Sequence, residues 1–79
     1  MKNMTQAIVL LIVDPKIELP VLSEIRSTPG VINANYLYGP YDIYVKIEGD
    51  SRECIRNLVF DKIRGIYGVQ STTTCLIYD

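Results

Sequence analysis

The sequence predicts one α+β domain whose elements follow the order strand, helix, strand, strand, helix, strand. Apolar residues change from β-branched runs to helical spacing and back, twice along the 79 residues. Thr-Pro-Gly-Val at residues 28–31 is matched by Ile-Tyr-Gly-Val at residues 66–69, which places a helix end before a strand in each half. Two interleaved right-handed βαβ units give a ferredoxin-like fold, an antiparallel four-stranded sheet with two helices on one face.

The first half begins with a strand and a helix. Residues 5–13 are a β-branched apolar run with no polar side, which predicts a strand covered on both faces. Residues 16–28 have helical spacing and contain a proline tolerated only in a first turn, so the helix begins near Ile17 or Glu18. It stops at the Pro-Gly pair of residues 29–30.

Two alternating runs meet at Gly39-Pro40. Residues 31–38 alternate in polarity and residues 41–48 alternate again, which predicts a β-hairpin. One face of the first run is predicted to carry Ile32, Ala34, Tyr36 and Tyr38. One face of the second run is predicted to carry Tyr41, Ile43, Val45 and Ile47.

The second helix is predicted to start at Gly49-Asp50, where Asp50 accepts from free N–H groups and Glu53 reaches back as in a capping box. Its core-facing side is predicted to carry Ile55, Leu58, Val59 and Lys62, with the lysine head group in solvent. Residues 69–78 are β-branched and aromatic and form the last strand.

This arrangement leaves one sheet face without helices. The first strand is apolar on both sides, and an uncovered apolar sheet face is larger than a soluble monomer ordinarily exposes. We therefore expect a homodimer in which two sheets pack face to face.

Composition narrows the classes of function. A net charge of −1 and scattered basic residues argue against direct binding of nucleic acid by phosphate neutralisation. Four basic residues of the second helix are interpreted as its solvated outer face: Arg52, Arg56, Lys62 and Arg64. The apolar run of residues 7–13 is too short to span a membrane, and it makes a poor signal peptide.

The cysteines carry no metal signature. The chain has no histidine, and Cys54 and Cys75 lack the spacing of a zinc site, so we expect no metal and no cofactor. Both thiols are interpreted as buried small hydrophobes in a reducing compartment, which makes the protein cytoplasmic.

Asp42 follows the Gly39-Pro40 corner and lies among four tyrosines. Two interpretations stay open: a turn carboxylate that accepts backbone N–H bonds, or an acceptor for the amino group of a small zwitterion. The four hydroxyl residues at 71–74 are likewise either sheet-surface residues or donors to a ligand carboxylate.

Three motifs occur in register: Pro-Gly-Val at residues 29–31, Tyr-Gly-Pro-Tyr-Asp at residues 38–42, and Gly-Val-Gln-Ser-Thr-Thr-Thr at residues 68–74. Together they resemble the effector-binding RAM domain of the Lrp/AsnC regulators, and the resemblance covers residues 7–78. It implies ferredoxin-like units that pair through their sheets and associate further into rings such as octamers.

The resemblance also implies a site. Family effectors, usually amino acids, bind at the contact between dimers, which by position implicates Gly39, Tyr41 and Asp42, with Thr72 and Thr74 as second choices. Asp42 would pair with the ammonium group, Gly39 would permit close approach of backbone, and hydroxyls and backbone N–H groups would receive the carboxylate. Many family members have a polar residue at the position of Pro40, so a stiffer corner and a different effector are expected.

Full-length family members carry an N-terminal helix-turn-helix that reads DNA, and the residues before Thr5 are too few to hold one. We therefore expect residues 1–79 to be a single, stand-alone domain that senses a small metabolite and modulates assembly or a regulatory partner. The alternative is a ligand-independent module that associates with full-length Lrp/AsnC regulators. An enzyme is least favoured, and no catalytic residue is predicted, because histidine and a phosphate-cradling arginine loop are missing.

Overall fold

The computed structural model describes residues 4–77 and has the predicted order of elements. The strands are β1 (Thr5–Val13), β2 (Val31–Tyr36), β3 (Ile43–Gly49) and β4 (Val69–Leu76). The helices are α1 (Glu18–Arg26), preceded by a 3-10 turn at Pro15–Ile17, and α2 (Arg52–Leu58), continued by a π-helical segment at Val59–Ile63. The four-stranded sheet has the order β2-β3-β1-β4 with antiparallel neighbours. The ferredoxin-like prediction is confirmed.

The core lies between the helices and one face of the sheet. Along β1 and β3, every second side chain points into this core, as expected for a sheet that is covered by helices on one face. The fully buried side chains of these strands are Ala7, Val9, Leu11, Ile43, Val45 and Ile47. On the other face of β1, Ile8, Leu10 and Ile12 are half-buried within a single chain. The first strand is therefore apolar on both faces, and one of these faces has no helix over it.

β2 contains a bulge that the alternation of the sequence did not predict. Val31 and Asn33 pair with neighbouring residues of β3, so Ile32 is the extra residue. Val31 packs against the core, whereas Ile32 is 45% exposed. The prediction that Ile32 shares a face with Ala34 is wrong, because a bulged residue shifts the alternation by one. Tyr38 lies beyond the end of the strand.

The second helix differs from its prediction at both ends. Its N-cap is Ser51 rather than Asp50, and the Ser51 Oγ accepts the backbone N–H of Cys54 at 3.1 Å. Lys62 is exposed and Ile63 is buried in its place. The π-helical turn changes the spacing of the later residues, so a pattern of 3.6 residues per turn chose the wrong side chain.

Cys54 and Cys75 are unpaired, and both are exposed. The prediction that they are buried is wrong for the single chain, because Cys54 lies in the first turn of α2 and Cys75 lies on edge strand β4. Tyr78, the predicted end of the last strand, lies outside the described residues. Within residues 4–77, no helix is long and apolar enough to cross a membrane.

Candidate functional site

The corner between β2 and β3 is held by Asp42. Its backbone N–H donates to the Leu11 carbonyl at 2.8 Å, and its carbonyl accepts the N–H of Leu37 at 2.9 Å. Its side-chain Oδ2 accepts the backbone N–H of Val13 at 2.9 Å, at the end of β1. Asp42 is therefore a turn carboxylate that ties the hairpin to the central strand, as one of the two interpretations predicted.

The second carboxylate oxygen of Asp42 remains available. Among residues 4–77, Oδ1 of the half-buried Asp42 has no hydrogen-bond partner. A carboxylate fixed through one oxygen presents the other in a defined direction, and an ionised oxygen is a strong acceptor for a cationic donor. The structural role of Asp42 is thus compatible with a role in binding.

Gly39 and Tyr41 lie beside Asp42 in the same corner. Gly39 has a φ of 135°, a conformation that L side chains rarely adopt. A Cβ atom there would meet no atom within 4 Å, so the glycine is required by the backbone conformation rather than by crowding within the chain. Tyr41 is half-buried, whereas Tyr38 at the tip of the loop is fully exposed.

Thr72 and Thr74 lie in another part of the molecule. Thr72 pairs with Leu11 and Thr74 pairs with Val9, so both threonine side chains share the helix-facing side of the sheet with these buried residues. Strand β1 separates β4 from the Asp42 corner, which corresponds to two strand spacings or about 10 Å. One chain therefore does not place the five predicted site residues in a single pocket.

Thr72 and Thr74 line a cavity of about 760 Å³ between β4 and the second helix. Three arginines and one aromatic residue of that helix form the facing wall: Arg52, Arg56, Phe60 and Arg64. The guanidinium carbon of Arg64 lies 4.6 Å from the centroid of the Phe60 ring, which is within the range of a cation–π contact.

Sequence reasoning missed this cavity. It interpreted the arginines as a solvated face and did not connect them with the threonines, because the two groups are far apart along the chain. The available signal was the recurrence of these four residues at every fourth position, which places side chains on one side of a helix. Within the described part of the chain, no cluster of three His, Cys, Asp or Glu side chains could hold a metal ion.

The ferredoxin-like fold is shared by proteins of many functions, so the fold alone does not decide the class of this protein. Residues 6–79 match the family model described as the Lrp/AsnC ligand binding domain. The chain therefore belongs to the Lrp/AsnC family, which confirms the resemblance carried by its three motifs.

The curated relatives are regulators. The chain is 32% identical over 78 residues to an uncharacterized HTH-type transcriptional regulator of Pyrococcus abyssi, a match that covers 95% of this chain and 52% of that protein. The chain spans about half the length of the curated relatives it matches. These relatives are transcriptional regulators rather than enzymes, in agreement with the prediction from the sequence.

Solved structures share the fold. FFRP-DM1 is 28% identical with a TM-score of 0.88, and the match covers 94% of this chain and 99% of that chain. A transcriptional regulator of Neisseria meningitidis in complex with L-Met is 17% identical with a TM-score of 0.87, covering 95% of this chain and 50% of that chain. The second likeness concerns the fold alone.

Proposed function

We propose that this domain senses a small metabolite, an amino acid, at a contact between subunits, and that binding alters its assembly or its affinity for a regulatory partner. We place the protein in the cytoplasm and expect this domain not to contact DNA itself. Its ligand-binding residues are Gly39, Tyr41 and Asp42, with Thr72 and Thr74 contributed by a neighbouring chain.

The observation that carries this proposal is the geometry of the Asp42 carboxylate. Oδ2 is held by the Val13 N–H, while Oδ1 has no partner among residues 4–77. An α-ammonium group donates three hydrogen bonds and pairs strongly with such an oxygen. The Gly39-Pro40 turn stiffens the approach to it and selects among side chains of the effector.

The separation of the two sets of residues supports a site shared between chains. The ammonium and carboxylate groups of an amino acid are attached to one carbon, so they cannot bridge about 10 Å between Asp42 and β4 of the same chain. A neighbouring chain that brings Thr72 and Thr74 beside the corner supplies hydroxyl donors for the carboxylate.

The open sheet face supports the assembly that this site needs. Ile8, Leu10 and Ile12 are half-buried in the single chain, and a homodimer that packs sheet against sheet covers them. Association of dimers into a ring such as an octamer creates the second kind of contact. A ligand bound there shifts the assembly to the extent that it binds one state better than the other.

The amino-acid class of the effector is also supported by a relative of the same fold. The structure of the Neisseria meningitidis regulator is that of its complex with L-Met, so this fold accommodates an amino acid in that protein. The particular amino acid bound by the present chain depends on the residues around Gly39-Pro40.

The test measures binding and assembly together. Native mass spectrometry with a panel of amino acids is expected to show one or more that bind and change the distribution of oligomers. Asp42→Asn keeps an oxygen that accepts the Val13 N–H but removes the charge, so binding should weaken by about tenfold or more, a loss typical of a charged hydrogen bond.

Asp14→Asn is the matched control, because the Asp14 side chain also accepts a backbone N–H, that of Lys16 at 3.0 Å, in an exposed turn. This variant should bind like the unaltered chain. An absence of binding and of any change in assembly across the whole panel would contradict the proposal, and so would equal losses in both variants.

The alternative is a ligand-independent interaction module that associates with full-length Lrp/AsnC regulators. The half-buried apolar face of β1 favours it, since a regulator with the same kind of sheet could cover that face equally well. Pull-down with full-length regulators separates the two functions: association that persists in Asp42→Asn and ignores amino acids supports the module.

A further inference from the structure

The two halves of the chain correspond residue by residue at a constant offset. Identical residues recur in the helix and turn of each half: Ile17, Val21, Ile25, Arg26, Gly30 and Val31, and then Ile55, Val59, Ile63, Arg64, Gly68 and Val69. The apolar members of both sets belong to the core or pack against it. The corresponding positions can therefore be compared directly, and the comparison shows where the second half departs from the first.

The arginines at corresponding positions do different things. Arg26 fastens edge strand β2, because its Nε and Nη2 donate to the Ala34 carbonyl at 3.0 and 2.8 Å. At the same offset, Arg64 faces edge strand β4, and the counterpart of Ala34 is Thr72. The Arg64 guanidinium forms no hydrogen bond or ion pair with residues 4–77 and lies over the Phe60 ring instead.

Charge is reversed at one corresponding helix position. The counterpart of Arg56 in the first half is Glu18. Arg56 and Arg64 line the same cavity beside β4. The second half therefore carries two positive charges there, which a bound anion would stabilise.

Arg56 and Arg64 line an open groove of the right size. The cavity of about 760 Å³ lies within the range of roughly 300 to 1,000 Å³ typical of small-molecule sites. Glu53 is the one acidic residue that lines it, against three arginines. Ile55, Val59 and Leu76 provide apolar lining, next to which charged groups interact more strongly than in open water.

Phe60 also departs from its counterpart. Leu22 in the first half is 4% exposed, whereas Phe60 is 58% exposed and lines the cavity. A large aromatic ring that lies outside the core, beneath a guanidinium group, offers an apolar surface to the carbon skeleton of a ligand.

We propose that the groove between residues 52–64 and β4 binds a small organic dianion, a dicarboxylate or a phosphate monoester. Arg56 and Arg64 pair with its anionic groups, Thr72 and Thr74 donate hydroxyl hydrogen bonds, and Phe60 contacts its carbon skeleton. The threonines are shared with the proposed amino-acid site and the arginines are not. The anion site therefore stands whether or not the amino-acid sensor does.

The test uses NMR titration of the whole chain with succinate and, separately, with glycerol phosphate. Saturable shifts are expected at the amides of Thr72 and Thr74 with at least one of the two compounds, and the tighter of the two identifies the source of the charge. Arg64→Gln and Arg56→Gln should each weaken binding about tenfold, the loss expected for a charged pair.

Lys62→Gln is the matched control, because it removes the same charge from the same helix at an exposed position that does not line the cavity. It should leave the affinity unchanged. An equal loss of affinity in Lys62→Gln would show that the anion is attracted by the overall charge of the helix, and it would overturn the site. An absence of saturable shifts with both compounds would overturn it as well. Tighter binding of an oligoglutamate peptide than of either compound would also overturn it and assign the groove to an acidic protein segment.

Failure of this proposal is distinguishable from failure of the amino-acid sensor. Binding in the groove moves the amides of residues 52–64 and β4 and survives Asp42→Asn, whereas binding at the corner depends on Asp42. Asp42→Asn thus reports on the corner, and Arg56→Gln and Arg64→Gln report on the groove.

Discussion

The turns at Gly30 and Gly68 occupy corresponding places in the two halves and perform the same backbone task. The Gly30 carbonyl accepts the N–H of Glu48, and the Gly68 carbonyl accepts the N–H of Asp14, both at 2.9 Å. Their φ angles are 96° and 104°. Their surroundings differ: Gly68 lies against the start of the first helix, whereas Gly30 faces the end of one flexible side chain, Leu58. Equal backbone roles therefore do not imply equal tolerance of substitution.

The largest effect is expected from Gly68→Ala. A Cβ there would overlap Ile17 Cδ1 and lie 2.9 Å from Val21 Cγ2, in addition to the strain of a positive φ. We expect a loss of about 2–4 kcal/mol in the free energy of unfolding, the sum of backbone strain and overpacking. Urea denaturation monitored by circular dichroism measures it.

Gly30→Ala is the paired variant for this comparison. Its Cβ would meet Leu58 Cδ2 at 2.9 Å, and that methyl group can move away, so we expect a loss of only about 1–2 kcal/mol from strain in φ. Equal losses in the two variants would show that the backbone conformation alone determines the cost.

The next effect separates the two corresponding arginines. Arg26→Gln removes the hydrogen bonds from the guanidinium to the Ala34 carbonyl and should lower the free energy of unfolding by about 1–2 kcal/mol. Arg64→Gln removes only the contact with Phe60 and should cost about 0.5 kcal/mol or less. Thermal denaturation of both variants checks the difference. A larger loss of stability in Arg64→Gln than in Arg26→Gln would show that Arg64 has a structural role, and it would contradict a role in binding.

The last comparison concerns the start of each helix. The Ser51 hydroxyl caps α2, whereas Ile17, the N-cap residue of α1, makes no side-chain cap hydrogen bond. Ser51→Ala should cost about 1 kcal/mol, and Ile17→Ser should not yield a comparable gain, since Ile17 also packs against the core. Chemical denaturation of the two variants makes the comparison, and an unchanged stability in Ser51→Ala would mean that another group caps α2.

Local periodicity predicted the parts of the fold that depend on local chemistry. The bounds of β1 and the start of α1 agree with the prediction because β-branched runs and a first-turn proline act over a few residues. The bulge at Ile32 was not predictable, since it depends on the register between β2 and β3. Asp50 and Ser51 are adjacent residues with similar capping chemistry, and only the backbone conformation decides between them.

The candidate site likewise has one part that the local sequence predicted and another that depends on contacts between distant segments. The turn role of Asp42 followed from its position after Gly39-Pro40, but its partner, the N–H of Val13, is distant in sequence and only the structure identifies it. The meeting of Thr72 with Arg64 depends on how the second helix packs beside β4. Such contacts leave no mark in the spacing of either segment alone.

The hydrogen bond from the Val13 N–H to the Asp42 carboxylate fastens the corner to β1. The pairing of β1 with β4 changes register between Ile12 and Val13, so this hydrogen bond lies where that pairing is irregular. A cation bound at Oδ1 leaves this hydrogen bond in place, because Oδ2 continues to accept the Val13 N–H. The rate of amide hydrogen exchange at Val13 therefore reports whether the corner is fastened to β1.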